Sequence, residues 1–293
     1  MNADTLARDL AERFRLTKRP RSWAGDCPAC GYVRAFSIRA GKGDRPSLYC
    51  ANGCSREVLD DEVGRAMGRD WTPRPPPDTS TEQAARERKQ AAALRLLAGS
   101  ATCGAADPAG RYLARRGLAH LIGCDALRYR DDCPHPEGGK LPAMVAAVLD
   151  AAGRPVAAHR TYLARDGHKA GAHPAKASLG PVWGGAIRLG PVAAELAVGE
   201  GIESAASAGL LLGLPAWAAI SAGNMATGLL LPPDVRAVLI AADPDPAGLA
   251  AARKASIRWA AEGRRVRVAM PDTPDEDFND VLLARMAGSA AHG

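Results

Sequence analysis

The chain has 293 residues, 47% of them hydrophobic and 4% aromatic, with seven cysteines, which suits one large or two modest globular domains and excludes a wholly disordered chain. Of its 38 Lys+Arg and 32 Asp+Glu, residues 191–293 hold 8 and 12, net −4, leaving 30 and 20, net +10, for residues 1–190; a basic unit ahead of an acidic one suits a polyanionic partner, unless the imbalance is only a solvated surface. The longest apolar stretch, residues 208–220, is broken by Gly213 and Pro215 and is too short for the ~20 residues of a membrane span, while the charged, amphipathic opening segment lacks the basic patch and apolar core of a secretory signal. No membrane partner is expected, and the expected location is a reducing cytoplasm.

In chain order, the first signal is Cys27-Pro-Ala-Cys30, nineteen residues, then Cys50-Ala-Asn-Gly-Cys54. The β-forming residues 32–38, a Gly41-Lys42-Gly43-Asp44 turn and the returning residues 47–50 predict a hairpin between the two pairs. Residues 56–68 predict a short helix with Val58, Leu59, Val63 and Met67 on one side. Four prolines within residues 71–80 read as an extended spacer and a domain boundary. A polar-faced helix is expected over 81–97 with Thr81 as cap and Gly99 beyond its end, then a helix over 108–116 and strands over 143–149, 156–163 and 186–189. From Glu195 the pattern alternates: strand 196–198, helix 202–212, strands 216–220 and 237–241, helix 247–262, strand 266–269, helix 278–286. Such alternation predicts an α/β fold with an open, mostly parallel sheet whose ligand site lies at the carboxyl ends of its strands. No internal repeat is present. The expected domains are 1–70, a spacer 71–80, a basic part 81–190 and an acidic part 191–293.

Two cysteine pairs joined by a hairpin can each give two thiolates to one tetrahedral zinc. Cys27, Cys30, Cys50 and Cys54 are therefore the expected ligands of one structural Zn2+, since four thiolates leave no open position; disulfides are the alternative, disfavoured in a reducing compartment. Between the pairs lie Arg34, Phe36, Arg39, Lys42 and Arg45, either a basic face that tracks a single strand and stacks a base, or a solvated hairpin. Asp132-Cys133-Pro134-His135 hints at a metal but has no second pair, and no histidine has a Ser or Cys partner at a nucleophile's spacing.

Three acidic groups follow three expected strands: Glu200 between Gly199 and Gly201, Asp243-Pro244-Asp245, and Asp275-Glu276-Asp277-Phe278-Asn279-Asp280. In a parallel sheet these ends converge, and carboxylates at that density call for hard divalent cations. Each acid on its own would pass as a loop or helix-cap residue, as Asp245 ahead of Pro246 does.

These motifs resemble the Toprim domain of DnaG-type primases, topoisomerases and some nucleases, and the whole pattern, a four-cysteine zinc ribbon, a basic segment and a Toprim-type sheet, resembles primases of phages and mobile elements. Residues 141–163, 176–180 and 184–189 look like the part of a primase core that precedes Toprim, a mixed α+β subdomain. The resemblance implies Glu200 as metal ligand or general base, Asp243 and Asp245 as ligands of Mg2+ or Mn2+, and Asp277 as the last acid. It further implies Arg160 and Lys176 as contacts to nucleotide phosphates or template, with Arg34 and Arg39 on the template. Pro244 stands where DnaG-type primases usually have Gly, and Asp275-Glu-Asp277 replaces a second Asp-x-Asp, leaving Asp275, Asp277 and Asp280 as candidates for the last ligand. The implied activity is a DNA primase, a nucleotidyltransferase that joins ribonucleoside triphosphates on single-stranded DNA. Without a P-loop in the sequence, a replicative helicase is expected in trans. A Toprim nuclease, or a non-catalytic single-stranded nucleic-acid-binding replication accessory protein, is the alternative; a topoisomerase would need a gate domain with a catalytic tyrosine, for which the chain is short.

Overall fold

The computed structural model describes residues 3–41, 45–51, 54, 56–68, 79–273 and 276–290. They fall into two units, residues 1–83 with 135–139, and residues 84–134 with 140–293. Among the described residues no helix is long and apolar enough to cross a membrane.

In the first unit, helix α1 (Ala3–Arg13) buries Leu6, Ala7, Leu10 and Ala11, three and four residues apart, on one face. Strands β1 (Thr17–Lys18), β2 (Trp23–Gly25), β3 (Phe36–Arg39) and β4 (Ser47–Cys50) form an antiparallel sheet in that order. Phe36 and Ile38 of β3 are fully buried, and Phe14 meets Phe36 edge-on with ring centroids 5.8 Å apart. Helix α2 (Arg56–Met67) closes the core with Leu59, Val63 and Met67. The expected hairpin is present, but its first strand starts at Phe36 rather than at 32. The cause is Arg34, whose φ of 56° is left-handed and whose N–H donates to Asp26 Oδ1 at 2.9 Å, so the chain turns there instead of extending. Residues 71–78, most of the expected spacer, lie outside the described residues, and helix α3 (Thr79–Ala98) takes up its last two positions.

The second unit contains two five-stranded sheets. The first is antiparallel: β5 (Ala101–Thr102), β6 (Leu127–Pro134), β7 (Lys140–Leu149), β8 (Pro155–Tyr162) and β9 (Lys176–Leu179), in that order, with helix α4 (Pro108–Arg115) capped by Asp107. The second takes the order β10 (Ile187–Arg188), β12 (Ala216–Ala218), β11 (Glu195–Gly199), β13 (Ala237–Ala241), β14 (Arg265–Ala269). Only the β10–β12 pair is antiparallel, so the sheet is mostly parallel as predicted. Helices α5 (Ile202–Leu212), α6 (Pro246–Ala261) and α7 (Phe278–Ala290) flank it. Gly199 permits α5 to pack onto the end of β11: a Cβ there would lie 2.9 Å from the Ala205 nitrogen.

Side chains from both sides of the boundary expected at 190/191 pack together. Leu113, Met144 and Val148 from before it share one buried cluster with Ile202, Ala205 and Leu282 from after it. The strand expected over 216–220 stops at Ala218, because Ile220 turns at φ 77°, a conformation that β-branched residues avoid and that marks local strain.

Candidate metal centre and acidic cleft

The four cysteines predicted as zinc ligands form one cluster. Cys27 and Cys54 sulfurs are 3.8 Å apart, as are those of Cys30 and Cys50, and all four lie within 4.8 Å of one another. A tetrahedral zinc with Zn–S bonds of about 2.3 Å requires S···S edges of about 3.8 Å, whereas a disulfide requires about 2.05 Å. Burial pushes the Cys27 thiol up to about 11 and also raises that of Cys54; a coordinated cation reverses that preference by stabilising thiolates. The donor set thus suits one structural zinc.

In the second unit the parallel register brings the acidic groups together. Gly199 pairs with Ala241, and Ala241 with Ala269, so β11, β13 and β14 end level. Glu200, Asp243, Asp245 and Asp277 all line a single cleft of about 570 Å3, together with Asp280, Lys169, Lys176, Arg116 and His159. Asp245 is the N-cap of α6, its Oδ1 accepting from Gly248 N–H at 2.6 Å. A Cβ on Gly248 would stand 2.6 Å from the Asp243 carbonyl oxygen, so glycine lets the turn fold tightly under Asp243.

Asp277 begins α7 with a reciprocal cap: its Oδ1 accepts from the N–H groups of Asn279 (2.7 Å) and Asp280 (3.0 Å), while Asp280 Oδ2 accepts from Asp277 N–H at 3.0 Å. Asn279, fully buried, donates through Nδ2 to the Arg116 carbonyl (2.7 Å) and Ser207 Oγ (3.0 Å), fixing α7 against the cleft. Asp275 lies outside the described residues.

Asp243 carries the clearest sign of a missing partner. Its Oδ1 is buried without a hydrogen bond, and its carboxyl is held above the usual range, chiefly by burial and then by the charges of Asp277 and Asp245, with a hydrogen bond from Ser204 opposing them. An orphaned, buried carboxylate oxygen amid further carboxylates suits a hard divalent cation. Among the described residues no three of these carboxylates close to within 4.8 Å, as the thiols do, in keeping with like charges that repel and with an ion that retains several waters.

The cleft lining is also basic and includes a residue that the sequence did not single out, Glu203. Glu203, 6% exposed on the first turn of α5, accepts from Lys176 Nζ at 3.0 Å, lies 3.4 Å from Lys169 Nζ, and accepts a short hydrogen bond from the Tyr112 hydroxyl. Burial alone would raise its carboxyl, but Lys176, Lys169 and the Tyr112 hydroxyl hold it well below the usual range. His159 Nδ1 is 2.9 Å from Ser178 Oγ, and burial followed by the Lys176 charge lowers the imidazole to about 3, which keeps it neutral. The available signal was a single glutamate in a helix otherwise buried through Ile202–Gly209.

Other expected contacts stand elsewhere. Arg160 is not part of the cleft lining: 6% exposed, it donates to the carbonyls of Pro134 (2.9 Å), Ala177 (3.2 Å) and Ser178 (3.2 Å). It therefore ties β9 and the end of β6 to β8 rather than reaching a phosphate. Phe36, expected to stack a base, lies in the core because its alternation on β3 turns it inward; the exposed aromatic of that sheet is Tyr49, opposite Ser37. Arg34 and Arg39 are exposed, and Arg39 Nη2 pairs with Glu137 Oε1 at 2.9 Å within the first unit. Lys42 lies outside the described residues.

Residues 195–288 match the family model described as Toprim domain. This part of the chain is a Toprim domain. Residues 87–189 match a second model, Domain of unknown function (DUF7146). The resemblance drawn from the motifs, a Toprim fold with a four-cysteine ribbon ahead of it, therefore stands. No curated protein matches the chain. Similar solved structures include the zinc-binding and RNA polymerase domains of the Aquifex aeolicus primase (14% identity, 100% of this chain and 84% of that chain, TM-score 0.47). The primase fragment of the bacteriophage T7 primase-helicase protein is another (15%, 93% and 98%, 0.42), as is a DnaG catalytic core (18%, 63% and 70%, 0.43).

Proposed function

We propose that the protein is a DNA primase that joins ribonucleoside triphosphates on a single-stranded DNA template, of the kind encoded by phages or mobile elements. The observation that carries this reading is the cleft of the Toprim domain, which Glu200 and Asp243 from beyond two strand ends and Asp277 from the start of α7 line together with Lys169, Lys176 and Arg116. Glu200, Asp243, Asp245 and Asp277 would hold Mg2+ or Mn2+, which when bound would activate the attacking 3′-hydroxyl and neutralise charge on the α-phosphate and pyrophosphate. Asp243 offers its unpartnered Oδ1 as a ligand, and Asp277 keeps its second oxygen for that role while its first caps α7. Glu200 serves as a further ligand or takes the proton of the hydroxyl. Lys176 receives phosphate charge. The exposed arginines Arg34 and Arg39 of the zinc-ribbon unit hold template phosphates, and Tyr49 is the side chain there that is free to stack a base.

The test is incubation with single-stranded DNA, labelled ribonucleotides and Mg2+. Short labelled oligomers support the reading; shortened template with no oligomers would instead identify a Toprim nuclease, and neither product a binding protein.

A further inference from the structure

The geometry points to Glu203 as the positioning residue of a two-lysine clamp, formed by Lys169 and Lys176, that takes the triphosphate of an incoming nucleotide. This inference rests on the reading of the cleft as a nucleotidyl-transfer site. Three elements converge on one buried carboxylate: Lys176 opens β9, Lys169 is bridged to Leu163 beyond β8, and the Tyr112 hydroxyl comes from α4. Both lysines remain about one-third exposed at their side chains, 34% and 36%, and both line the cleft, while the Glu203 side chain is buried. Their ammonium groups are thus fixed from behind and open in front.

Electrostatics explains why a carboxylate is needed there. Two ammonium groups side by side repel, and the same cleft is lined by other possible counter-ions, the carboxylates of Glu200, Asp243, Asp245 and Asp277. Without Glu203 a lysine would fold over onto those acids and neutralise a metal ligand. With it, the pair keeps a net positive charge and a fixed spacing, the pre-organisation that anion capture requires. Tyr112 uses its hydroxyl proton on the Glu203 Oε1 that also faces Lys169, and Lys176 takes Oε2, so neither oxygen is left without a partner.

The test uses the full chain and Mg·ATP. Equilibrium binding, the KM and kcat of primer synthesis and the thermal midpoint are measured for Glu203→Gln, Glu203→Asp and Lys169→Met. The expected result is a rise in Kd and KM of about tenfold or more for Glu203→Gln and Lys169→Met, the loss of one charge-assisted contact. The kcat at saturating nucleotide should change much less, and Glu203→Asp should recover part of the affinity. A lowered midpoint with unchanged or tighter Mg·ATP binding makes Glu203 structural cement and overturns the clamp. Should Glu203→Gln fail to fold, Lys169→Met decides on its own. A wild type that binds Mg·ATP through these lysines but joins no nucleotides defeats the primase reading and leaves the clamp; an active wild type with Lys169→Met unchanged in KM defeats only the clamp, and a wild type that binds no Mg·ATP overturns it outright.

Discussion

Asp243→Asn probes the acidic cleft with the least structural disturbance. Asparagine keeps the size and the contact to Ser204, and removes one negative charge from a carboxyl that burial, Asp277 and Asp245 already hold above its usual range. A raised carboxyl binds its proton more tightly in the folded than in the unfolded state, so ionisation at Asp243 lowers stability as pH rises from the unfolded value through the folded one. At neutral pH the metal-free variant should accordingly be at least as stable as the parent. Bound metal reverses the order. With Mg2+ at a hundred times its Kd the parent gains about 2.7 kcal/mol, or roughly 5–10 °C in thermal midpoint for a unit of this size, and the variant should lose most of that gain. In primer synthesis, losing a ligand that stabilises the reacting phosphate costs ~3 kcal/mol, about a hundredfold in rate. The assays are thermal melts with EDTA or Mg2+, and timed primer synthesis. Near-parental synthesis by Asp243→Asn, with the parent shown to need Mg2+ or Mn2+, would place the chemistry outside this cleft.

Cys50→Ser should release zinc, measured by metal analysis of protein purified under reducing conditions, and unfold the first unit while the Toprim domain keeps its cooperative transition. Asp277→Ser keeps a helix-capping oxygen and removes the carboxylate, so it should cost well under about 1 kcal/mol in urea unfolding yet lower synthesis by tenfold or more; an equal loss of synthesis with Asp275→Asn would shift the last ligand to Asp275. The net +10 of residues 1–190 should make binding to single-stranded DNA fall steeply and log-linearly with salt, as read by fluorescence anisotropy; a flat salt response would contradict template binding through phosphates.

The alternation of short apolar strands with alanine-rich helices made the parallel sheet legible, because period and length both change with the element. Glu200 and Asp243 follow directly from it as residues just past β11 and β13, whereas Asp277 stands eight residues beyond β14, at the start of α7. Strand β6 escaped because Arg128, Arg130, Asp131 and Asp132 mask its alternation and the register shifts between Arg130 and Cys133. Phe36 was misread since an aromatic among arginines looks exposed until the strand's alternation is fixed by its partners. Arg160 shows the same limit: charge suggested a ligand, but burial against three carbonyls is a tertiary property. Glu203 was hidden by distance, its lysine partner Lys176 lying 27 residues away with no local spacing to link them. The reciprocal cap of Asp277 and Asp280, by contrast, is a local pattern that a closer reading of Asp277-Phe-Asn-Asp280 would have found.

Pyrophosphate release measures nucleotidyl transfer directly and separates it from strand cleavage, which yields none. On mixing the protein with single-stranded DNA, four ribonucleoside triphosphates and Mg2+, the account predicts pyrophosphate formed in step with short labelled oligomers, only when template and metal are both present, and slowed about a hundredfold in Asp243→Asn. Template shortening without pyrophosphate, or pyrophosphate release that Asp243→Asn leaves intact, would contradict it.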